Sequence, residues 1–217
     1  MSTRQLAPTG AAIAVLASLA AGVAPALAVS RPSCSAGSTL GITKSARAFV
    51  VRTAGIRRVY GCSTSTRRVS YLGRGSELGE DRAEGVDTSV VAVSGPRVAY
   101  VRNGCSDDGC SETVFVYDLK TRKQRSVAQA TPAEQESKVV DIVLNTNGVV
   151  GWISEDRVGD PPVAVTRYVI ARQPGLFRGI KVIPIATGLD IARGSLALAG
   201  NTLYWTQGGM AKAAPLP

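Results

Sequence analysis

Apolar and polar positions along the chain fall into short alternating runs rather than helical stripes. Three stretches, "VVAVSGPRVAYVR" (90–102), "IVLNTNGVVGWIS" (142–154) and "LALAGNTLYWTQ" (196–207), align almost without gaps, at a period of about 50 residues that marks propellers or solenoids. Each is an alternating run, a turn and a second alternating run. The turns carry Gly95-Pro96, Asn147-Gly148 and Gly200-Asn201 at matching places, residues that supply a positive or a fixed φ in a tight reversal. After the turn, Val98 and Tyr100, Val150 and Trp152, and Leu203 and Trp205 stand two apart. Residues two apart on a strand share a face. The six side chains are therefore expected in one core, with the aromatics packed between neighbouring sheets.

A second half-repeat follows the first. "VFVYDLKTRKQRSV" (114–127) matches "RRVYGCSTSTRRV" (57–69), with Tyr117 over Tyr60, Thr121 over Thr64 and Arg125 over Arg68, and "AFVVR" (48–52) answers "VAYVR" (98–102). The unit is four short strands, giving units at about 38–73, 88–128, 139–186 and 194–214, the last without its final strand. No segment has the apolar spacing of a three-turn amphipathic helix, and "TPAEQESK" (131–138) has no face to bury. The expected fold is all-β: a β-propeller-like array of about four small four-stranded blades, incomplete or open. A two-sheet sandwich is the competing arrangement.

At this point the residues resemble known proteins. "LYWTQ" (203–207) is similar to the Tyr-Trp-Thr-Asp signature of an extracellular propeller family, with Gln207 in place of the signature Asp. "VYDLKT" (116–121) resembles the Asp-Leu-x-Thr turn of TolB-like and WD40-like propellers, with Arg122 where those turns carry Gly. The resemblance implies a propeller, and those families have six or more blades where this chain has room for four.

Composition adds destination and chemistry. Arg4, an apolar run from Ala11 to Ala24 and the Ala26-Leu27-Ala28 ending read as a secretory signal peptide over residues 1–28, with Val29 the first mature residue. Residues 29–217 then form one domain. An uncleaved anchor fits less well, because the run is Ala-dominated and interrupted by Gly22 and Pro25. The expected location is extracellular or at the cell envelope. The formal charge is +9, mostly from arginine, which suits anionic surroundings and is also typical of GC-rich, for instance actinobacterial, genomes. There is no histidine, so a Ser-His-Asp hydrolase and any His-bearing metal triad are excluded.

Four cysteines in an exported chain are most economically two disulfides. Cys105 and Cys110 enclose "SDDG" between strands "VAYVR" and "TVFVY", where a pair facing across a hairpin has Cα atoms at disulfide distance. That leaves Cys34 with Cys62. Chain entropy assigns about 2 kcal/mol to the small loop and about 3.5 kcal/mol to the large one. Zinc, calcium and redox readings of the "CSDDGC" loop lack the required ligand set or spacing, so no metal or cofactor is expected.

Two acidic runs, "ELGEDRAEGVD" (77–87) and "SEDRVGDPP" (154–162), carry the Gly and Pro of solvated loops, and "RQPGLFRG" (172–179) sets Leu176 and Phe177 among arginines. Arg57, Arg58, Arg67 and Arg68 in the first unit align with the region of Arg122, Lys123 and Arg125 in the second. These are expected at the rim of adjacent blades, where cations protect edge strands from self-pairing or form an anion-binding flank. Eleven aromatic residues are too few for a stacking platform on single-stranded nucleic acid, so no specific nucleic acid is expected. No catalytic residue is assigned. The expected function is a secreted noncatalytic binding protein meeting an anionic cell-wall polymer, a membrane surface or a protein partner. The alternative is an extracellular lyase or hydrolase using carboxylate, Arg and Tyr.

Overall fold

The computed structural model describes residues 31–76, 85–106, 109–129, 137–158, 164–172 and 184–216. The signal-peptide reading, residues 77–84 of the acidic run 77–87 and the Leu176–Phe177 loop lie outside these residues.

Among the described residues, fifteen strands form consecutive antiparallel meanders. Blade 1 is β1 (Ser38–Ile42), β2 (Ala46–Thr53), β3 (Ile56–Ser63) and β4 (Arg68–Ser76). Blade 2 is β5 (Gly85–Ser94), β6 (Arg97–Ser106), β7 (Gly109–Asp118) and β8 (Lys123–Gln129). Blade 3 is β9 (Ser137–Leu144), β10 (Val150–Val158), β11 (Ala164–Arg172) and β12 (Ala186–Gly188). Blade 4 has three strands, β13 (Ala197–Ala199), β14 (Thr202–Gln207) and β15 (Met210–Pro215). Within each blade the strand order follows the chain, and blades 1 and 2 touch through a short parallel pairing of Gly75 with Val86 and Ser76 with Asp87. The fold is all-β and propeller-like, and its ring is open.

Alternation within the strands turns one apolar face towards each neighbouring blade, so the interior is divided. Ala46, Ala48, Val59 and Leu72 of blade 1 meet Val98 and Tyr100 of blade 2. Ala99, Val101, Val114 and Val116 on the opposite face of blade 2 meet Val139, Val150 and Trp152 of blade 3. Ile153 and Val169 of blade 3 meet Leu203 and Trp205 of blade 4. The six repeat positions are thus all buried, but in three seams rather than the one core expected from the sequence. The reason is geometric: stacked sheets bury both faces, and each equivalent pair points towards the blade before it.

The register also corrects the half-repeat alignment. Ser63 and Arg68 close the turn of blade 1 as Asp118 and Lys123 close that of blade 2, and the bulge at Val59/Tyr60 recurs at Val114/Phe115. Counted from these points, Tyr60 corresponds to Phe115, not Tyr117. Phe49, opposite Tyr60, then corresponds to Tyr100, opposite Phe115. Both cross-strand pairs stack, with ring centroids 5.6 and 5.7 Å apart. Phe49 is therefore blade 1's member of the aromatic series, on the face of β2 turned away from blade 2. It is nevertheless fully buried. The Arg47 guanidinium lies 4.9 Å from its ring centroid and donates to the carbonyls of Cys34, Ala36 and Gly37, fixing the N-terminal segment on this face. The Cys34–Cys62 disulfide, with Cα atoms 5.6 Å apart, ties the same segment to β3.

Candidate functional site: an arginine-lined cleft

Two equivalent turns build the site. Residues 64–67 join β3 to β4 and residues 119–122 join β7 to β8. Each ends on an arginine in the left-handed region, Arg67 at φ 51° and Arg122 at φ 58°, a conformation uncommon outside glycine that surrounding contacts must hold. The first turn is pinned by Thr64, whose N–H donates to the Ser45 carbonyl at 3.0 Å and whose hydroxyl donates to the Lys44 carbonyl at 2.7 Å. In the second, Asp118 Oδ1 accepts the N–H groups of Lys120 and Thr121, both at 2.9 Å. The side chain of Asp118 thereby replaces a backbone turn partner.

Between these turns lies a cleft of about 380 Å³ lined by Arg31, Pro32, Arg67, Arg68, Val69 and Arg122. An adjoining hollow of about 270 Å³ shares Arg31, Val69 and Arg122 and adds Tyr60, Ser70, Tyr71 and Tyr117. Among the described residues, no carboxylate lines either space. Among the described residues, none of the four arginines has an ion-pair partner. Four uncompensated guanidinium groups facing one concavity raise its positive potential, and the planar fork of each matches a phosphate or carboxylate.

The structure thus joins Arg67 and Arg68 of blade 1 to Arg122 of blade 2, as the charge pattern suggested, and adds Arg31, which the repeat could not reveal because it precedes the first unit. The other basic residues of the expected flank stand elsewhere. Arg57 and Arg58 begin β3, opposite Arg52 and Val51, and roughly 20 Å of strand separates them from the turn. Lys123 and Arg125 lie on β8, opposite Asp118 and Val116. In the "CSDDGC" loop, Cys105 and Cys110 are direct register partners one step from the hairpin tip, Ser106 opposite Gly109. Their side chains lie outside the described atoms.

A different set of polar groups was not visible from the sequence. Both acidic runs contain buried strand residues, which overturns their reading as wholly solvated loops. Ser154, Glu155 and Asp156 belong to β10 and are buried, and Asp87 in β5 is 1% exposed. Glu155 receives the Arg167 Nε–H at 2.6 Å and two N–H groups of Arg193 at 2.5 Å each. Burial alone would raise its pKa, but these arginines outweigh burial and hold it below the ordinary carboxylate range. Glu112 sits in the seam between blades 2 and 3, where burial lifts its pKa to about 7 even though the Val139 N–H donates to it. Asp141 on β9 is also raised by burial, while accepting the Leu196 N–H at 2.8 Å. The one available signal was that alternation continues past Trp152, placing Ser154 and Asp156 on its face and Glu155 on that of Ile153.

No known family model matches the chain, and no curated protein matches it either. Among solved structures, Pyrococcus horikoshii acylaminoacyl peptidase in an orthorhombic crystal form is similar with a TM-score of 0.46 and 12% identity, over 82% of this chain and 31% of that one. An acylaminoacyl peptidase in complex with Z-Gly-Gly-Phe-chloromethyl ketone gives a TM-score of 0.40 and 14% identity, over 80% of this chain and 31% of that one. The chain thus spans under a third of the length of either peptidase. At this level of similarity nothing of their chemistry transfers to it.

Proposed function

We propose that this chain is an exported, noncatalytic binding protein that holds an anionic ligand in the cleft between the turns of blades 1 and 2. The observation that carries the reading is the convergence of Arg31, Arg67, Arg68 and Arg122 on one concavity with no carboxylate among its described lining residues. Three tyrosines in the adjoining hollow offer flat faces with polar tips against which a ring can lie. A phosphate-bearing wall polymer supplies both features, repeated charge for the arginines and sugar rings for the tyrosines. The disulfide supports an oxidising destination. The lyase or hydrolase alternative requires ionisable groups with displaced pKa values in one open pocket. Glu112 instead lies in the seam of blades 2 and 3, and Asp141 and Glu155 in that of blades 3 and 4, where the Leu196 N–H and Arg193 already engage them, which favours binding over catalysis.

The test is equilibrium binding of a soluble phosphodiester polymer and of vesicles containing anionic phospholipid, at low and high salt. Affinity for the polymer is expected to fall with salt. Arg67→Ala combined with Arg122→Ala is expected to weaken it about tenfold, roughly 1.4 kcal/mol. An equal loss on substituting Lys123 and Arg125, outside the cleft, would leave only nonspecific charge attraction.

A further inference from the structure

At the opposite end of the strands from the arginine cleft, four oxygen-bearing side chains come together beside the seam of blades 2 and 3. Asp87 stands opposite Ser76 in the parallel pairing of β4 and β5, and Asn103 stands opposite both Gly85 and Glu112. Directly opposed residues share a face of the sheet. Asn103 lies two residues beyond Val101, and Glu112 two before Val114, both valines belonging to the core that faces blade 3. Glu112 Oε2 accepts the Val139 N–H of β9, crossing that seam, and Glu112 also feels the charge of Asp87.

These groups are withdrawn from solvent: Asp87 is 1% exposed, Ser76 2% and Glu112 7%. Asp87 Oδ1 is fixed by the N–H of Ser89 at 2.8 Å and by its hydroxyl at 2.7 Å. The second carboxylate oxygen, Asp87 Oδ2, has no hydrogen-bond partner, nor have Ser76 Oγ and Asn103 Oδ1. An unsatisfied buried polar atom destabilises the fold. Three in one corner, beside two carboxylates that repel each other, make a corner complementary to a cation.

We propose that this corner binds a hard divalent cation of the Ca²⁺ class, with Asp87 Oδ2, Asn103 Oδ1, Ser76 Oγ and the Glu112 carboxylate as ligands. The donors are all oxygen, the set that Ca²⁺ takes and soft transition metals do not favour. Because the ligands come from β4, β5, β6 and β7 and Glu112 also holds β9, the ion ties blade 1's last strand and blade 2 to blade 3. Lys138, whose charge also acts on Glu112, is the chain's own competitor for the position.

Chain stripped with EDTA is titrated with CaCl₂ at constant ionic strength by calorimetry, with thermal unfolding followed in parallel. One saturable site is expected, with Kd on the order of 10⁻⁴–10⁻³ M as in extracellular modules, and a melting temperature that rises with Ca²⁺. Asp87→Asn is expected to weaken binding about tenfold or more, while Asp141→Asn, in the next seam, leaves it unchanged. If Asp87→Asn fails to fold, Asn103→Ala and Ser76→Ala, which remove neutral ligands, decide the matter, each expected to weaken binding severalfold. No saturable binding up to about 10 mM, or wild-type affinity in both neutral variants, overturns the site.

Discussion

Tyr100 shows how a single buried residue can serve packing and work against it. Its ring fills the seam between blades 1 and 2, stacked on Phe115 and 5.9 Å from the Arg102 guanidinium. Its hydroxyl is buried without a partner, and burial pushes its pKa up to about 12. Tyr100→Phe keeps the ring and removes the orphaned oxygen, so it is expected to stabilise the fold by about 1 kcal/mol, read from chemical denaturation. Replacement by Ala would instead open a cavity costing several kcal/mol. Glu112 gives a second residue-scale expectation. Its folded pKa of about 7 lies above the ordinary 4.5, so the folded chain holds the proton more tightly than the unfolded one. That contribution is complete below about pH 4.5 and is lost as pH rises through about 7, on the order of 3 kcal/mol. In cation-free buffer, wild-type stability should fall between pH 5 and pH 8 relative to Glu112→Gln. Parallel curves would show that Glu112 titrates normally.

Among the elements, the hairpins carried most of what the sequence revealed. Alternation and turn chemistry located the strands, and the pairs at 98/100, 150/152 and 203/205 were correctly read as buried. What failed was register. Tyr117 and Tyr60 share an identity but not a position, because the hairpin β6–β7 is longer than β2–β3 and alignment by residue type absorbed the difference wrongly. A slip of one residue exchanges the faces of a strand: matching "AFVVR" to "VAYVR" sets Val50 against Tyr100, where the register sets Phe49. The acidic runs misled for a related reason: composition marks a loop, but Asp87 and Glu155 are strand residues made tolerable by Ser89 in one case and by Arg167 and Arg193 in the other. Arg167 and Arg193 are distant from Glu155 in sequence and carry no local signature, whereas Ser89 is only two residues from Asp87. In the same way, the turn pair Arg67 and Arg122 was legible as charge, whereas their meeting with Arg31 required the fold. The direct opposition of Cys105 and Cys110 leads to an expectation for the β6–β7 hairpin. Nonreducing proteolysis should yield a peptide linking the two, separate from a Cys34–Cys62 peptide. Alkylation of either Cys105 or Cys110 without prior reduction would refute the staple.

The described blades pack in chain order through three seams, and polar groups are divided between the two ends of their strands. The turn end of blades 1 and 2 carries uncompensated cations facing solvent, while the hairpin end of the seam between blades 2 and 3 holds buried carboxylates. Salt should therefore affect the two differently: attraction at the exposed cleft is screened within a Debye length, whereas contacts in the seam are largely shielded from it.

The covering of Phe49 makes the outer faces of blades 1 and 4 unlike. The last blade leaves Ala197, Ala199, Tyr204, Ala211 and Ala213 in the open, while at the opposite extremity Arg47 and the Cys34–Cys62 crosslink close the N-terminal segment over the equivalent aromatic site. A head-to-tail contact between two copies would have to displace that segment, whereas a contact between two blade 4 faces would be isologous and closed.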